Sequence, residues 1–284
     1  MKKLILGAAL ALTLSACGNV TTTVSDENTA LITIGSTKIT SGQVYSALIA
    51  QNAAGIVKQM ATQTILNAEV EITDEMVTEA QTELQNFKDS MGDSTEAYLQ
   101  YYGYKDIDDY YTNGILPTLQ QDILVKKYLN DNYATLANDY LPKMIRVIEV
   151  TDATQADAAL AAIQAGEDFG SVASTYSTSS YSGEEQLVYT ASDLPSVVLT
   201  WMNTMTTPTL SPVLPDTDNA TNYIVQITVA DANKIVDDVV TTFGYDTTFI
   251  ELALQDAFIR NGFTLYDKSI YDQFVLAYPD YIAK

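Results

Sequence analysis

Apolar residues recur along the chain with two different spacings, which separate helical stretches from strands. Alternating apolar residues around a Gly35-Ser36 turn predict a short hairpin over 31–44, and Thr40 or Ser41 can cap the helix that follows. Apolar positions three or four residues apart then predict a series of helices. These helices cover about 42–66, 72–92, 93–103 and 106–133.

Residues that favour helix ends set the limits of these helices. Thr73 precedes acidic residues that suit the positive end of a helix dipole, and Gly92 is typical of a residue that ends a helix. Asp93, followed three residues later by Glu96, predicts a capping box for the next helix. Pro117 is expected to kink or reset the last helix, because it lacks the N–H that a helix interior needs.

The pattern changes after Pro142, where the sequence MIRVIEV is rich in β-branched residues and predicts a strand. From there the elements follow the order β-α-α-β-α-β-β over 143–230. Helical spacing returns over 232–284. The predicted fold class is therefore α+β, with a small sheet domain inserted between N-terminal and C-terminal helices.

Composition and charge narrow the function. The chain has 284 residues, of which 47% are hydrophobic and 18% charged, as is typical of a folded globular protein. Its 36 acidic and 14 basic residues give a net charge of −22, which repels phosphate groups and excludes nucleic acid as a partner. The acidity has two interpretations, solubility of the protein and attraction of a cationic partner, and both stay open.

The first twenty residues, MKKLILGAALALTLSACGNV, are typical of a secretory leader. Two lysines precede an apolar run that is short for a membrane span. Leu14-Ser15-Ala16-Cys17 then resembles a bacterial lipobox, which implies a signal peptide over 1–16 and lipidation of Cys17 with acyl chains such as palmitate. Two acyl chains anchor a protein stably to a membrane, and the polar residues 17–30 would form the tether. The alternative is an ordinary secretory signal in which the cysteine has no role.

Cys17 is the sole cysteine, and the chain contains no histidine. Zinc and most transition-metal sites are therefore not expected in the folded part, and no cofactor is predicted. A Ser-His-Asp triad is impossible, whereas a Ser-Lys pair or a pair of carboxylates stays open. The segment DTDN at 216–219 lacks the full calcium-loop pattern and is interpreted as a turn.

Tyrosines are concentrated in the last two N-terminal helices. The cluster consists of Tyr98, Tyr101, Tyr102, Tyr104, Tyr110 and Tyr111. One interpretation is an adaptable aromatic surface that binds peptides, and the other is packing between short helices. A cluster of this size predicts that part of it is exposed aromatic surface.

Several segments, in this order, resemble the PrsA-type foldase lipoproteins of Gram-positive bacteria, which carry an inserted parvulin-type peptidyl-prolyl isomerase domain. After the lipobox, VSDENTALITIGSTKITSGQVYSAL is similar to the family's opening strand pair and helix. ITDEMVTEAQTEL and STEAYLQYYGYKDIDDYYTNGILPTLQQDILVKKYL are similar to its N-terminal chaperone helices. VIEVTDATQADAALAAIQAGEDFGSVASTYS follows the parvulin pattern of a strand, a helix and a second, shorter helix.

The resemblance implies a domain plan and a set of pocket positions. The plan has an N-terminal helical chaperone region over 31–142, a parvulin-like domain over 143–230, and C-terminal helices over 231–284 that pack on the N-terminal region. The family's two histidines correspond to about Val147 and Tyr223, and its acidic or cysteine position to about Gln186. Tyr189 is a further candidate for the degenerate pocket. Its apolar positions correspond to Leu194 and Val198. The pocket is therefore expected to be degenerate, with no catalytic residue assigned.

The resemblance implies an extracytoplasmic chaperone, held at the outer face of the bacterial cell membrane by lipid on Cys17. The expected partners are unfolded or partly folded secreted polypeptides, the membrane and, as an open option, a second copy forming a homodimer. Prolyl isomerisation breaks no covalent bond, so loss of the histidines weakens activity without forbidding it. Two alternatives stay open, an active isomerase with a non-standard pocket and an adhesin-like surface lipoprotein.

Overall fold

A computed structural model describes residues 26–283 of the chain. The predicted signal peptide and Cys17 lie outside the described residues. The chain divides into two compact units, and the first is discontinuous: it ends at Gln121 and resumes at Glu251. The second unit covers Asp122–Ile250.

The secondary structure is mixed, which confirms the α+β class. The strands are β1 (Ala30–Ile34), β2 (Thr37–Thr40), β3 (Lys143–Val150), β4 (Gln186–Val188), β5 (Thr209–Leu210), β6 (Leu214–Asp216) and β7 (Thr221–Val229). The helices are α1 (Ser41–Glu69), α2 (Asp74–Met91), α3 (Thr95–Tyr101), α4 (Ile107–Tyr110), α5 (Leu116–Asp131), α6 (Tyr133–Tyr140), α7 (Ala153–Gln164), α8 (Phe169–Tyr176), α9 (Ser196–Thr204), α10 (Val236–Gly244), α11 (Thr247–Arg260) and α12 (Lys268–Ala277).

The first two helices begin and end as their cap residues predict. Thr40 and Gln43 form a full capping box at the start of α1, with Gln43 Oε1 accepting from the Thr40 N–H at 2.9 Å. Thr73 caps α2, and Gly92, at a positive φ of 50°, follows its last residue. These predictions are confirmed, because a side-chain oxygen satisfies a backbone N–H that the first helical turn leaves unpaired.

The capping box predicted at Asp93 and Glu96 is wrong. Gly92–Ser94 forms a 3-10 turn, and α3 starts after Ser94 without any side-chain cap. The 3-10 turn continues the chain out of α2, and the Thr95 N–H donates to the Gly92 carbonyl within it, so this N–H needs no side-chain acceptor.

The helix break predicted near Pro117 takes the form of a π-helical turn. This turn covers Tyr111–Ile115 and joins α4 to α5, whose second residue is Pro117. The wider turn lets the helix tolerate the missing N–H of Pro117 at the beginning of α5. The helix is therefore reset at this point, as expected.

In the first unit, α1 packs against α12, and an ionic network holds the C-terminal turn between α1 and α11. Lys58 Nζ lies 2.9 Å from both carboxylate oxygens of Glu251, and the Tyr281 hydroxyl donates to the same carboxylate. The ammonium of Lys58 also lies over two tyrosine rings, 4.8 Å from the centroid of Tyr278 and 4.5 Å from that of Tyr281. Residues far apart in sequence are thereby joined around one cation.

This network predicts a pH dependence of stability. Burial opposes ionisation of Glu251, but the hydrogen bond from Tyr281 and the contact with Lys58 outweigh it and lower the pKa of this carboxyl group. Its stabilising contribution is therefore present above the unfolded pKa, about 4.3, and is lost as the pH falls through the lower folded pKa. Because the side chain is 45% exposed, we expect only about 0.5–1 kcal/mol.

The measurement is the free energy of unfolding of wild type and Glu251→Gln at pH 7 and pH 3, followed by circular dichroism. Glu251→Gln should lose less stability on acidification than wild type does. Asp272→Asn is the matched control, since Asp272 forms an exposed pair with Lys268 one helical turn away and should leave the pH dependence unchanged. Equal acid sensitivity of wild type and Glu251→Gln would contradict the prediction.

The second unit is built on an antiparallel sheet with the strand order β4-β3-β7-β5, in which β6 also pairs with β7. The predicted order β-α-α-β-α-β-β is confirmed, except that the extended segment before the last strand forms two short strands, β5 and β6. Pro212 lies between them, where a proline cannot donate to the ladder. Helices α7 and α8 cover one face of the sheet, and α9 covers the other.

A separate aromatic cluster stabilises the second unit at the junction of α10 and α11. Phe243 and Phe249 are stacked, with ring centroids 3.7 Å apart and planes 6° apart, and both are fully buried. Tyr140 and Tyr189 pack edge-on against this pair, with Tyr189 4.9 Å from Phe243 and Tyr140 4.8 Å from Phe249. The four rings form one apolar centre built from four separate segments.

Candidate functional site

One face of the sheet in the second unit gathers four of the predicted pocket positions. Val147 on β3 lies opposite Val225 on β7, and Tyr223 lies two residues along β7 and therefore on the same face. Val198, from α9, is fully buried in the same apolar cluster, and Leu194 packs against it half-buried. At the position predicted to match the first histidine of the PrsA-type foldases, the site thus presents an aliphatic side chain that is 1% exposed.

A cavity of about 180 Å³ lies beside Val147. It is also lined by Gln186, the first residue of β4, and by the loop 180–185. The loop contributes serine and tyrosine hydroxyls together with the carboxylates of Glu184 and Glu185. The structure therefore brings two predicted positions, Val147 and Gln186, to one small polar-edged cavity.

Gly183 sets the position of this loop. Its φ is +76°, and a Cβ at this position would lie 2.7 Å from the Cβ of Ala173 on α8. Position 183 excludes a side chain for two reasons. The backbone is in the left-handed region, and the loop approaches α8 closely. The residues that line the cavity on either side of Gly183 are therefore held by the packing of the loop on α8.

Tyr223, at the position predicted to match the second histidine, is a neutral phenol. Burial is the main cause that raises its pKa to about 12, followed by the charges of Glu149 and Asp216 and by Tyr181. At neutral pH the hydroxyl keeps its proton and can donate a hydrogen bond, but it cannot act as a base. Val147 and Tyr223 together thus provide apolar contact and one donor in place of two titrating imidazoles.

Tyr189 lies apart from the other predicted pocket positions. Its hydroxyl donates to the carboxylate of Asp246, and its ring belongs to the aromatic cluster around Phe243. Burial raises the pKa of Tyr189, and the hydrogen bond to Asp246 raises it further. Asp246 in turn accepts from the Thr248 N–H in the first turn of α11. The structure therefore gives Tyr189 a place in the packing of the second unit rather than beside Val147.

A second candidate site lies in the first unit, where aromatic rings form a continuous series that we call the tyrosine surface. Its members are Phe87, Tyr98, Tyr101, Tyr102, Tyr104 and Tyr110. Each ring lies 4.4–5.4 Å from its neighbour in the series, and the order in space runs from Tyr101 to Tyr104 through Phe87. Rings at these separations and at tilted or edge-on angles attract each other.

The tyrosine surface is most exposed at one end. Tyr101 is 83% and Tyr102 59% exposed, and the other four rings are half-buried. Tyr111, the sixth tyrosine of the predicted cluster, is half-buried at the start of the π-helical turn. The cluster therefore forms an exposed surface at one end and packs between short helices at the other, so both interpretations of the tyrosines apply to part of it.

Two residues that the sequence analysis did not single out complete this surface. Phe87 lies at its centre, 5.4 Å from Tyr98 and 4.8 Å from Tyr110. Gly114 lies in the π-helical turn, where a Cβ would meet the ring of Tyr110 at 2.7 Å and the hydroxyl of Tyr104 at 3.0 Å. The signal for Phe87 was its place near the C-terminal end of α2, immediately before the tyrosine-rich segment.

Aliphatic residues form a further exposed area in the first unit, in the hairpin β1–β2 and along α1. Leu31 and Ile34 are 57% and 67% exposed, and Met60 on α1 is 66% exposed. A cavity of about 310 Å³ also lies between α1 and α12, lined by Tyr45, Ile49 and polar residues of α12 and its N-cap. Surface of this kind is typical of a site that contacts another polypeptide.

The chain was compared with protein families, curated proteins and solved structures. No family model matches the chain. Over 180 residues the chain is 28% identical to the foldase protein PrsA 4 of Bacillus cereus, a match that covers 62% of this chain and 59% of the relative. The chain resembles the PrsA-type foldases. It spans about three fifths of the length of that curated relative.

Solved structures of PrsA proteins are also similar to the chain. A peptidyl-prolyl isomerase PrsA of Bacillus cereus has 18% identity and a TM-score of 0.49, over 89% of this chain and 99% of that chain. The foldase protein PrsA of Streptococcus pneumoniae has 19% identity and a TM-score of 0.43, over 87% of this chain and 98% of that chain. The resemblance to the PrsA foldases, predicted from the sequence, is confirmed by the curated relative.

Two further properties of the described residues bear on this PrsA-like chain. Within 26–283, no helix is both long and apolar enough to cross a membrane. In the same residues no group of three or more acidic side chains is placed to hold a metal ion.

Proposed function

We propose that the chain is a membrane-anchored extracytoplasmic chaperone that holds unfolded or partly folded secreted polypeptides. The observation that carries the proposal is the tyrosine surface, a series of six rings in the first unit that is exposed at the end formed by Tyr101 and Tyr102. Rings of this kind contact many sequences, because tyrosine offers a large, rigid and amphipathic area at a low cost in conformational entropy. The similarity to a foldase of Bacillus cereus supports the same function.

The anchor in this proposal is lipid on Cys17. It is supported by the leader and lipobox-like quartet in the sequence and by the resemblance to the PrsA-type foldases. In the same proposal residues 17–30 are the tether, 31–142 and 231–284 form the helical chaperone region, and 143–230 is the parvulin-like domain. A second copy of the chain stays a proposed partner.

The parvulin-like domain is proposed to be degenerate and to act as a second binding module. The cavity at Val147 has an apolar wall and a hydroxyl- and carboxylate-bearing rim, and Tyr223 contributes a neutral donor on the same face of the sheet. These groups suit contact with a peptide. They lack the tuned polar pair that would favour the altered charge of a twisted amide.

An aggregation assay tests the chaperone function. The mature chain carrying Cys17→Ser, to keep it free of lipid, is mixed at an equimolar ratio with a slow-folding secreted protein diluted from denaturant, and light scattering is followed. We expect clear suppression of scattering, and Tyr101→Ala combined with Tyr102→Ala should remove about half or more of it, because these two rings are the most exposed of the series.

Tyr266→Ala is the matched control for this assay. Tyr266 is 73% exposed, in the same unit, and no ring contact joins it to the tyrosine surface among residues 26–283. It should leave the suppression unchanged. Absence of any suppression by the wild-type chain would refute the proposed function.

A further inference from the structure

We propose that the tyrosine surface selects cationic, arginine-bearing extended segments of polypeptide. This inference rests on the proposed function and names the class of segment that the chaperone holds. It draws on the charge around the surface, on the geometry of its exposed rings and on a similar arrangement inside the same protein.

The segment that carries the tyrosine surface is acidic. The segment 83–113, which carries all six rings, contains seven acidic residues and two lysines. Asp93 and Glu96 are exposed, and neither forms an ion pair within the described part of the chain. Their charge is therefore available to a ligand, and it favours a cationic one.

Other carboxylates in the segment are engaged by the backbone and fix its shape. Asp106 accepts from the N–H groups of Asp108 and Asp109 at the start of α4. Asp109 accepts from the Lys105 N–H at 2.9 Å and from the Asn113 side chain at 2.7 Å, which lowers its pKa. The negative charge next to the rings is thus held in place by local structure and stays ionised well below neutral pH.

The exposed rings suit a guanidinium group. Tyr101 and Tyr102 meet edge to face, with centroids 5.1 Å apart and planes at 80°. Both side chains are exposed, so part of each ring is open to solvent. A cation over such a face is attracted by the ring quadrupole, and arginine can also stack its plane on the ring while it pairs with a carboxylate.

The same combination of groups binds a cation elsewhere in the first unit. Lys58 lies over the rings of Tyr278 and Tyr281 and pairs with the carboxylate of Glu251. There the cation belongs to the protein itself. At the tyrosine surface the rings and carboxylates are present without an ion pair at Asp93 or Glu96, so the cation would come from a ligand.

The hairpin β1–β2 offers a contrasting surface. It exposes the aliphatic residues Leu31, Ile32 and Ile34, and its own charged side chain, Lys38, is basic. Aliphatic side chains lack the negative ring face that attracts cations. Preference for arginine is therefore assigned to the tyrosine surface and not to exposed apolar area in general.

Fluorescence anisotropy with labelled peptides tests the proposal on the mature chain carrying Cys17→Ser. The probes are (Gly-Ser-Arg)₄, its lysine analogue, and its citrulline analogue, which keeps the shape of arginine but has no charge. We expect the arginine peptide to bind about tenfold or more tightly than the citrulline peptide, and the lysine peptide to bind with intermediate affinity.

Paired variants separate the ring effect from the charge effect. Tyr101→Ala with Tyr102→Ala should weaken binding of the arginine peptide about tenfold, whereas Tyr101→Phe with Tyr102→Phe should stay within about twofold of wild type, because the ring is kept. Asp93→Asn with Glu96→Gln should weaken binding and reduce its dependence on salt. Tyr266→Ala should behave as wild type.

Equal affinity for the arginine and citrulline peptides, or unchanged binding in the double alanine variant, would overturn the inference. Circular dichroism of each variant shows whether it is folded, and if the double alanine variant is unfolded the phenylalanine and charge variants decide. The outcome is separable from that of the aggregation assay. If the chain suppresses aggregation but does not prefer arginine, the chaperone proposal stands and only this inference is refuted. If the chain prefers arginine but does not suppress aggregation, the chaperone proposal is refuted.

Discussion

Prolyl isomerisation by this chain is expected to be at least about a hundredfold slower than by a parvulin that retains its histidines. The positions predicted to match the two parvulin histidines hold Val147, which is buried, and Tyr223, whose pKa is raised to about 12. Without a tuned polar pair the site loses a transition-state contribution of a few kcal/mol, and about 2.7 kcal/mol corresponds to a factor of one hundred.

A protease-coupled assay with a proline-containing peptide measures this rate, with a histidine-containing parvulin as the reference. Leu194→Trp, at one of the predicted apolar pocket positions, tests the opposite result. A rate within tenfold of the parvulin that is removed by this substitution would show that a pocket without imidazole is a working isomerase. That result would replace the proposal of a degenerate domain.

Removal of one stacked ring is expected to have the largest effect on stability. Phe243 is fully buried and stacked on Phe249, and Phe243→Ala leaves a cavity among the rings. Such a change costs about 3–5 kcal/mol of the free energy of unfolding. The loss should also disturb Tyr189, whose ring packs on Phe243.

Urea unfolding followed by tryptophan fluorescence measures this effect in the relevant unit. Trp201 is the only tryptophan of the chain and packs against the sheet of the second unit, so its emission reports on that unit. Tyr245→Ala is the matched control, because Tyr245 is two residues away and 77% exposed, and it should change stability by about 0.5 kcal/mol or less. A loss below about 1 kcal/mol for Phe243→Ala would show that the cluster does not hold the unit together.

Much of the fold could be predicted because its signals are local. The capping box of Thr40 and Gln43 and the positive φ of Gly92 depend on residues within one helical turn. The strand at Val147 follows from a run of β-branched residues. The wrong prediction of a capping box at Asp93 also rests on a short local pattern. There the preceding 3-10 turn provides another way to start the helix.

The candidate sites could be predicted only in part, because their contacts join distant segments. The tyrosines were visible in the sequence as a cluster. Phe87 was not, because its contact with Tyr110 depends on how two helices, α2 and α4, meet. Tyr189 was placed with the pocket by alignment, but its partner Asp246 lies 57 residues away. No periodicity in either segment indicates this hydrogen bond.

The discontinuity of the first unit has a consequence for the order in which the protein is made. Ribosomes synthesise a chain from its N-terminus, so Lys58 and Glu69 exist long before Glu251 and Arg260, their ionic partners. The second unit is continuous and is complete before those partners emerge. A nascent chain would therefore complete its inserted unit first. Until the C-terminal helices emerge, the aliphatic hairpin and α1 would lack their partners, and at this stage the chain would itself depend on protection from aggregation.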